Sequence, residues 1–185
     1  GVEADWLPGH MDEVREMLDG RELDVVLGSV HFIGDWAFDD PDLVQRYGSW
    51  DIDALWDRYF AEFCEAARSG VFDVIAHPDL VKKFGFRPVT DAGTWYRDAA
   101  VAMAEGRVAV EVNTAGLRKP VAEIYPSLPF LAACREAGVR ATTGSDAHSP
   151  DEVAAGLGDA RSLLLDAGYT SLVVFRGRRP EEVAL

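Results

Sequence analysis

Short apolar runs that stop abruptly at polar, ligand-type residues recur along the chain, and amphipathic stretches of helical period lie between them. At 1–5, Val2 and Ala4 alternate with Glu3 and Asp5, which predicts the end of a strand. Further strands are predicted at 24–31, 72–77, 108–113, 139–143 and 171–175. Apolar residues spaced by threes and fours predict helices at 11–19, 52–68, 91–105 and 127–137. Asp51 is placed to cap the second of these, and Gly20, Gly70 and Gly138 to stop the first, second and fourth. Residues 150–156 predict a short helix that 159–167 continues, and Pro180-Glu181-Glu182 predicts the opening of another. The stretches 34–50, 78–90 and 114–120 read as loops.

Six strands alternating with helices predict an α/β fold, a parallel sheet or barrel in one domain. A length of 185 residues supports one sizeable core and is short for an eight-unit barrel. No apolar run is long enough to span a membrane, and no charged-then-apolar leader opens the sequence. Cys64 and Cys134 lie in helix-like segments without zinc-type spacing, so reduced thiols and a cytoplasmic location are expected. Eighteen basic against 32 acidic residues give a net charge of −14, which argues against a broad nucleic-acid-binding surface. A small anionic substrate is compatible with that charge, because a bound metal reverses the local field.

The chemistry gathers at strand ends. Thr142-Thr143-Gly144-Ser145-Asp146-Ala147-His148 closes one run, and two others finish in His31 and His77. In barrels, chemistry sits at the C-terminal ends of the strands. Glu3, His31, His77, Asp146 and His148 are therefore the candidate metal ligands, with Glu111 a sixth. Each has a plainer reading: a strand-end histidine is often only hydrogen-bonded, Glu3 could be solvated, and Glu111 could pair with an arginine. Imidazole with carboxylate suits Zn, Fe or Mn, and such metals lower the pKa of a bound water for hydrolysis. Arg118, Lys119, Arg87, Lys82 and Lys83 stand on loops of the same face, and arginine grips phosphate bidentately. Dinucleotide, P-loop and nucleophile-elbow signatures are absent.

Taken in order, Gly28-Ser29-Val30-His31-Phe32, Ala76-His77-Pro78-Asp79, Glu111-Val112-Asn113-Thr114-Ala115-Gly116-Leu117-Arg118 and Gly144-Ser145-Asp146-Ala147-His148 resemble the PHP (polymerase and histidinol phosphatase) superfamily. Gly116 to Pro120, Glu123-Ile124-Tyr125-Pro126-Ser127 and the opening Gly1-Val2-Glu3-Ala4-Asp5-Trp6 point to its histidinol-phosphatase branch. The resemblance implies a distorted (β/α)7 TIM-like barrel holding up to three divalent metals. It also implies hydrolysis of L-histidinol phosphate to L-histidinol and phosphate in histidine biosynthesis, by in-line attack of metal-bound hydroxide. By the matching motifs Glu3 bridges two metals, His31 and His77 complete one site, Asp146 serves the second and His148 a third. Arg118 and Arg87 hold the phosphate. The family's first strand ends in a His-x-His pair ahead of a Gly-x-Glu motif, whereas this sequence opens on Gly1-Val2-Glu3. The expectation is an N-terminally truncated barrel of six β/α units that lacks the first strand and retains about one metal, at Glu3–His31–His77. Two alternatives are another PHP phosphoesterase with a different phosphate ester, and an inactive PHP-like module.

Overall fold

A computed structural model describes residues 1–185. Its centre is a five-stranded parallel sheet of β1 (Val2–Asp5), β2 (Val26–Ser29), β5 (Val74–Ile75), β6 (Ala109–Asn113) and β7 (Ala141–Gly144), paired in that order. The crossovers are α1 (Met11–Leu18), α2 (Ile52–Arg68), α3 (Gly93–Gly106) and α4 (Leu128–Glu136), and α5 (Leu157–Asp166) follows β7. This is the predicted βαβ alternation, with consecutive crossover-linked strands as neighbours.

Two-residue alternation divides the sheet. Val26, Ile75, Val110, Val112 and Ala141 join the main apolar core beneath the helices. Val74 and Ala109 face the other way and pack with Leu27, Val173 and Phe175. Further along that second face stand Glu3, Ser29, Glu111 and Asn113, so an apolar floor gives way to a polar layer at the C-terminal strand ends. Among the helices an aromatic lattice fills the core. Tyr96 stacks on Phe130 at 4.9 Å, and Phe60 meets Phe130 edge-on at 5.8 Å. Asp51 caps α2 as expected, accepting from the Ala54 amide at 3.0 Å.

Several expectations need correction. The sixth strand, β8 (Ser171–Arg176), exists, but it pairs only with β9 (Arg179–Ala184), antiparallel and outside the sheet. The sheet does not close into a barrel. β9 occupies the place where Pro180 predicted a helix. The cause is the Gly177-Arg178 turn, where both residues have positive φ (52° and 63°), the geometry of a tight two-residue hairpin. Arginine there conceals the turn, while Pro180 is tolerated on a two-stranded ribbon.

The 34–50 stretch begins at the turn of a small hairpin, β3 (Phe32–Ile33) with β4 (Trp36–Ala37), and continues into a 3-10 helix at Pro41–Ser49. Gly34, at φ 62°, makes the hairpin turn. The stretch predicted as one helix from 150 is a 3-10 turn, Pro150–Glu152, separated from α5 by Gly156 at φ 75°. The helix predicted at 91–105 starts two residues later, at Gly93, with Ala92 flanking it. Cys64 and Cys134 are free thiols, and burial raises the pKa of both. No helix is long and apolar enough to cross a membrane.

Candidate metal centre

Glu3 lies on β1, two residues before Asp5, so both carboxylates project from one face of the strand. On the neighbouring strand Asp5 is in register with Ser29, and His31 follows two residues later. His77 sits just past β5 with φ at 28°, a left-handed turn that directs its ring back across the strand ends. The backbone amide of His77 donates to Glu111 Oε2 at 2.9 Å, which fixes that turn.

The three ligand atoms of Glu3, His31 and His77 all lie within 4.8 Å of one another. His77 Nε2 is 3.1 Å from Glu3 Oε1, and His31 Nε2 is 3.8 Å from the same oxygen. The imidazole centroids are 4.9 Å apart. Ser29 Oγ donates to Glu3 Oε1, and His31 Nδ1 meets Asp5 Oδ1 at 2.6 Å. The hydrogen bond from His77 drives the Glu3 carboxyl down to about 2; burial opposes this, and Ser29 and His31 reinforce it. Burial works against a charged His77, yet Glu3, Glu111 and Asp146 outweigh it and raise the imidazole's pKa. An ionised carboxylate facing two imidazole nitrogens is a donor set suited to Zn, Fe or Mn.

Asp146 and His148 line the same cleft without joining this trio. Asp146 takes φ 48°, and Asn113 Nδ2 donates to its Oδ2 at 3.4 Å. His148 is 80% exposed along its side chain; its Nδ1 lies 3.1 Å from the Asp146 carbonyl. Glu111 is buried, which raises its pKa, and no arginine pairs with it. It accepts from the His77 amide and from Asn113 Nδ2 instead, and so braces the ligands from behind.

The predicted phosphate-binding arginines are both engaged elsewhere. Arg118 Nη2 donates to the carbonyls of Ser145 (2.8 Å) and Asp146 (3.3 Å), and Nε approaches Glu152 at 3.5 Å. Arg87 pairs with Glu123 at 2.6 Å. Neither lines the cleft, whereas Lys83 and Lys119 do. Lys82 is wholly buried against Asp79 (3.0 Å), Glu123 and the Ile124 carbonyl, a core ion pair rather than a surface cation. Asp5, Ser29 and Asn113 were not among the candidates. The signal for the first two was present, since Glu3-x-Asp5 and Ser29-x-His31 share the two-residue spacing of strand neighbours.

An α/β fold that collects two imidazoles and a carboxylate at its parallel strand ends defines a protein of the metal-dependent hydrolase kind. No family model matches the chain. A Deinococcus radiodurans protein named a probable histidinol-phosphatase is 42% identical over 180 residues, spanning 97% of this chain and 68% of its own length. The chain belongs to the histidinol-phosphatase family. The crystal structure of histidinol phosphate phosphatase from Lactococcus lactis, complexed with zinc, L-histidinol and phosphate, superposes with a TM-score of 0.69 at 22% identity. That match covers 98% of this chain and 70% of the Lactococcus protein, and it establishes the shared α/β fold.

Proposed function

We propose that this protein hydrolyses L-histidinol phosphate to L-histidinol and phosphate, as a metal-dependent phosphomonoesterase of histidine biosynthesis acting in the cytoplasm. The observation that carries the proposal is the convergence of Glu3, His31 and His77, in a chain 42% identical to a probable histidinol-phosphatase. Glu3, His31 and His77 would hold a divalent ion, with zinc the ion named in the Lactococcus complex. Bound there, it supplies Lewis-acid polarisation of a phosphoryl oxygen and lowers the pKa of water. The remaining work falls to the chain. Ser29 and His77 keep Glu3 ionised, Glu111 holds the His77 turn, and Asn113 steadies Asp146. Asp146 and His148 would take further ions along the same cleft.

Lys119 places positive charge beside an otherwise acidic cleft, while Lys83 at the same cleft is ion-paired with Asp39 at 3.1 Å; an anionic ester would be met first by Lys119 in a chain of net charge −14. Arg118 would act on the phosphate by bracing the Ser145–Asp146 backbone and by whatever donors that clamp leaves open. Five parallel strands with converging ends, and β8 packed on the face opposite the helices, support a finer reading of the architecture. The chain then forms one domain, residues 1–185, corresponding to six units of a (β/α)7 barrel.

The test is phosphate release from L-histidinol phosphate by the metal-loaded protein. His77→Ala and Asp146→Ala are each expected to lower turnover by about 100-fold or more, on the scale of a lost oriented electrostatic contact. Full turnover in both variants would sink the mechanism. Arg118→Ala should raise KM and lower kcat together, because it loosens the Asp146 loop as well as the phosphate site.

A further inference from the structure

We propose that Asp5 is a positioning residue for metal binding, fixing the tautomer and the plane of His31. The inference rests on the metal reading of Glu3, His31 and His77. Imidazole ligates through a nitrogen lone pair, so one ring nitrogen must be free of its proton while the other keeps it. Asp5 Oδ1 lies 2.6 Å from His31 Nδ1. A carboxylate at that distance accepts a proton held on Nδ1 and leaves the Nε2 lone pair bare. Nε2 is the nitrogen that faces Glu3 Oε1, at 3.8 Å.

The placement follows from the strands. Asp5 shares a face with Glu3 on β1, and its backbone is held against β2 by the Asp5–Ser29 register and by the Trp6 amide, which donates to the Ser29 carbonyl at 2.7 Å. Asp5 stands outside the trio whose ligand atoms cluster, on the Nδ1 edge of the ring rather than the Nε2 edge. His77 shows what happens without such a partner. Its Nδ1 is buried and makes no hydrogen bond, and its ring is set instead by the φ 28° turn and the Glu111 contact to its amide. The two imidazoles are thus aimed by different means: a carboxylate meets the Nδ1 edge of His31, whereas His77 has no Nδ1 partner and is held by its left-handed backbone, the Glu111 contact to its amide and the Nε2 contact to Glu3.

The experiment measures zinc affinity by competition with a chromophoric chelator, for the wild type, Asp5→Ala and Asp5→Asn, with His77→Ala as the reference for a lost ligand. Asp5→Ala is expected to bind zinc about 10- to 100-fold more weakly, with the far-UV circular dichroism of the wild type. Nitrogen-15 NMR of the metal-free protein at about pH 8, above the ordinary imidazole titration, should place the His31 proton on Nδ1 in the wild type and lose that preference in Asp5→Ala. If Asp5→Ala does not fold, the isosteric Asp5→Asn carries the test, because its amide can present a donor to Nδ1 and so favour the wrong tautomer. Wild-type zinc affinity and wild-type His31 nitrogen shifts in the folded Asp5 variants, with binding lost in His77→Ala, overturn the role of Asp5. Wild-type affinity in His77→Ala as well overturns the metal centre itself, and the positioning role with it.

Discussion

A methyl group added at Gly144 would stand 2.1 Å from Glu111 Oε1. Glycine is needed there because β7 passes over the carboxylate that holds the His77 turn. Gly144→Ala should therefore cost roughly 1–3 kcal/mol by overpacking. It should also weaken zinc retention, since Glu111 cannot move without releasing the His77 amide. Thermal melting and the chelator competition would read the two effects separately. A second residue, Glu123, sets a pH dependence away from the metal. Its burial disfavours the charge, but Arg87 and Lys82 outweigh that and hold its pKa below the ordinary 4.5. A depressed carboxylate stabilises the fold above 4.5, and that contribution is lost as pH falls through the lower folded value. Glu123→Gln should thus be less stable than the wild type in urea at about pH 7, with the gap narrowing as the pH falls below the ordinary carboxylate range. At this scale the trio was legible because His31 and His77 each end an apolar run, and Glu3 alternates with Val2 and Ala4 in the first predicted strand. The fate of Arg87, Arg118 and Lys82 was not, because a basic residue's partner depends on which loops meet, and no spacing in the sequence encodes that meeting.

Among the elements, the long crossover helices were the most legible. α2 runs over the predicted 52–68 because it has a capping aspartate, a strong apolar face and a glycine two residues past its end. Its energetic weight lies in the aromatic lattice with α3 and α4. Phe130→Ala should remove about 3–5 kcal/mol, a fall measurable by urea denaturation with turnover per folded molecule preserved. The short hairpins were hidden. β3 and β4 have two residues each, and their pairing depends on Gly34 rather than on a run of β-formers. β8 and β9 turn through Gly177-Arg178, whose second residue does not advertise a positive φ. Arg178 holds that unusual conformation while donating from Nε to Asp73 Oδ2 at 2.8 Å and from Nη2 to the Val71 carbonyl at 2.6 Å. Its amide donates to the Asp24 carbonyl at 2.8 Å. Arg178→Ala is expected to destabilise the protein by about 1–3 kcal/mol, seen as a lower Tm, by leaving the half-buried Asp73 without its charged partner.

For the whole molecule, the parallel pairing of the sheet followed from the strand–helix alternation, whereas its order β1-β2-β5-β6-β7 and the position of β8 did not. Alternation says that a strand follows α5; it does not say whether that strand zips onto β7 or folds onto its own successor. The hairpin solution also carries a temporal consequence. The Gly177 amide donates to Asp24 Oδ1 across 153 residues of sequence, and Arg178 reaches Asp73 across 105. Contacts of such separation form late and slowly, because loop entropy must be overcome before they contribute. A ribosome adds residues at roughly 5–20 per second, so Asp24 emerges on the order of ten seconds before the segment that will bind it. Throughout that interval the underside of the nascent sheet, with Leu27 and Val74 on it, has no hairpin to cover it. Slower translation or added chaperone should accordingly change the folded yield of this protein even where its core is untouched.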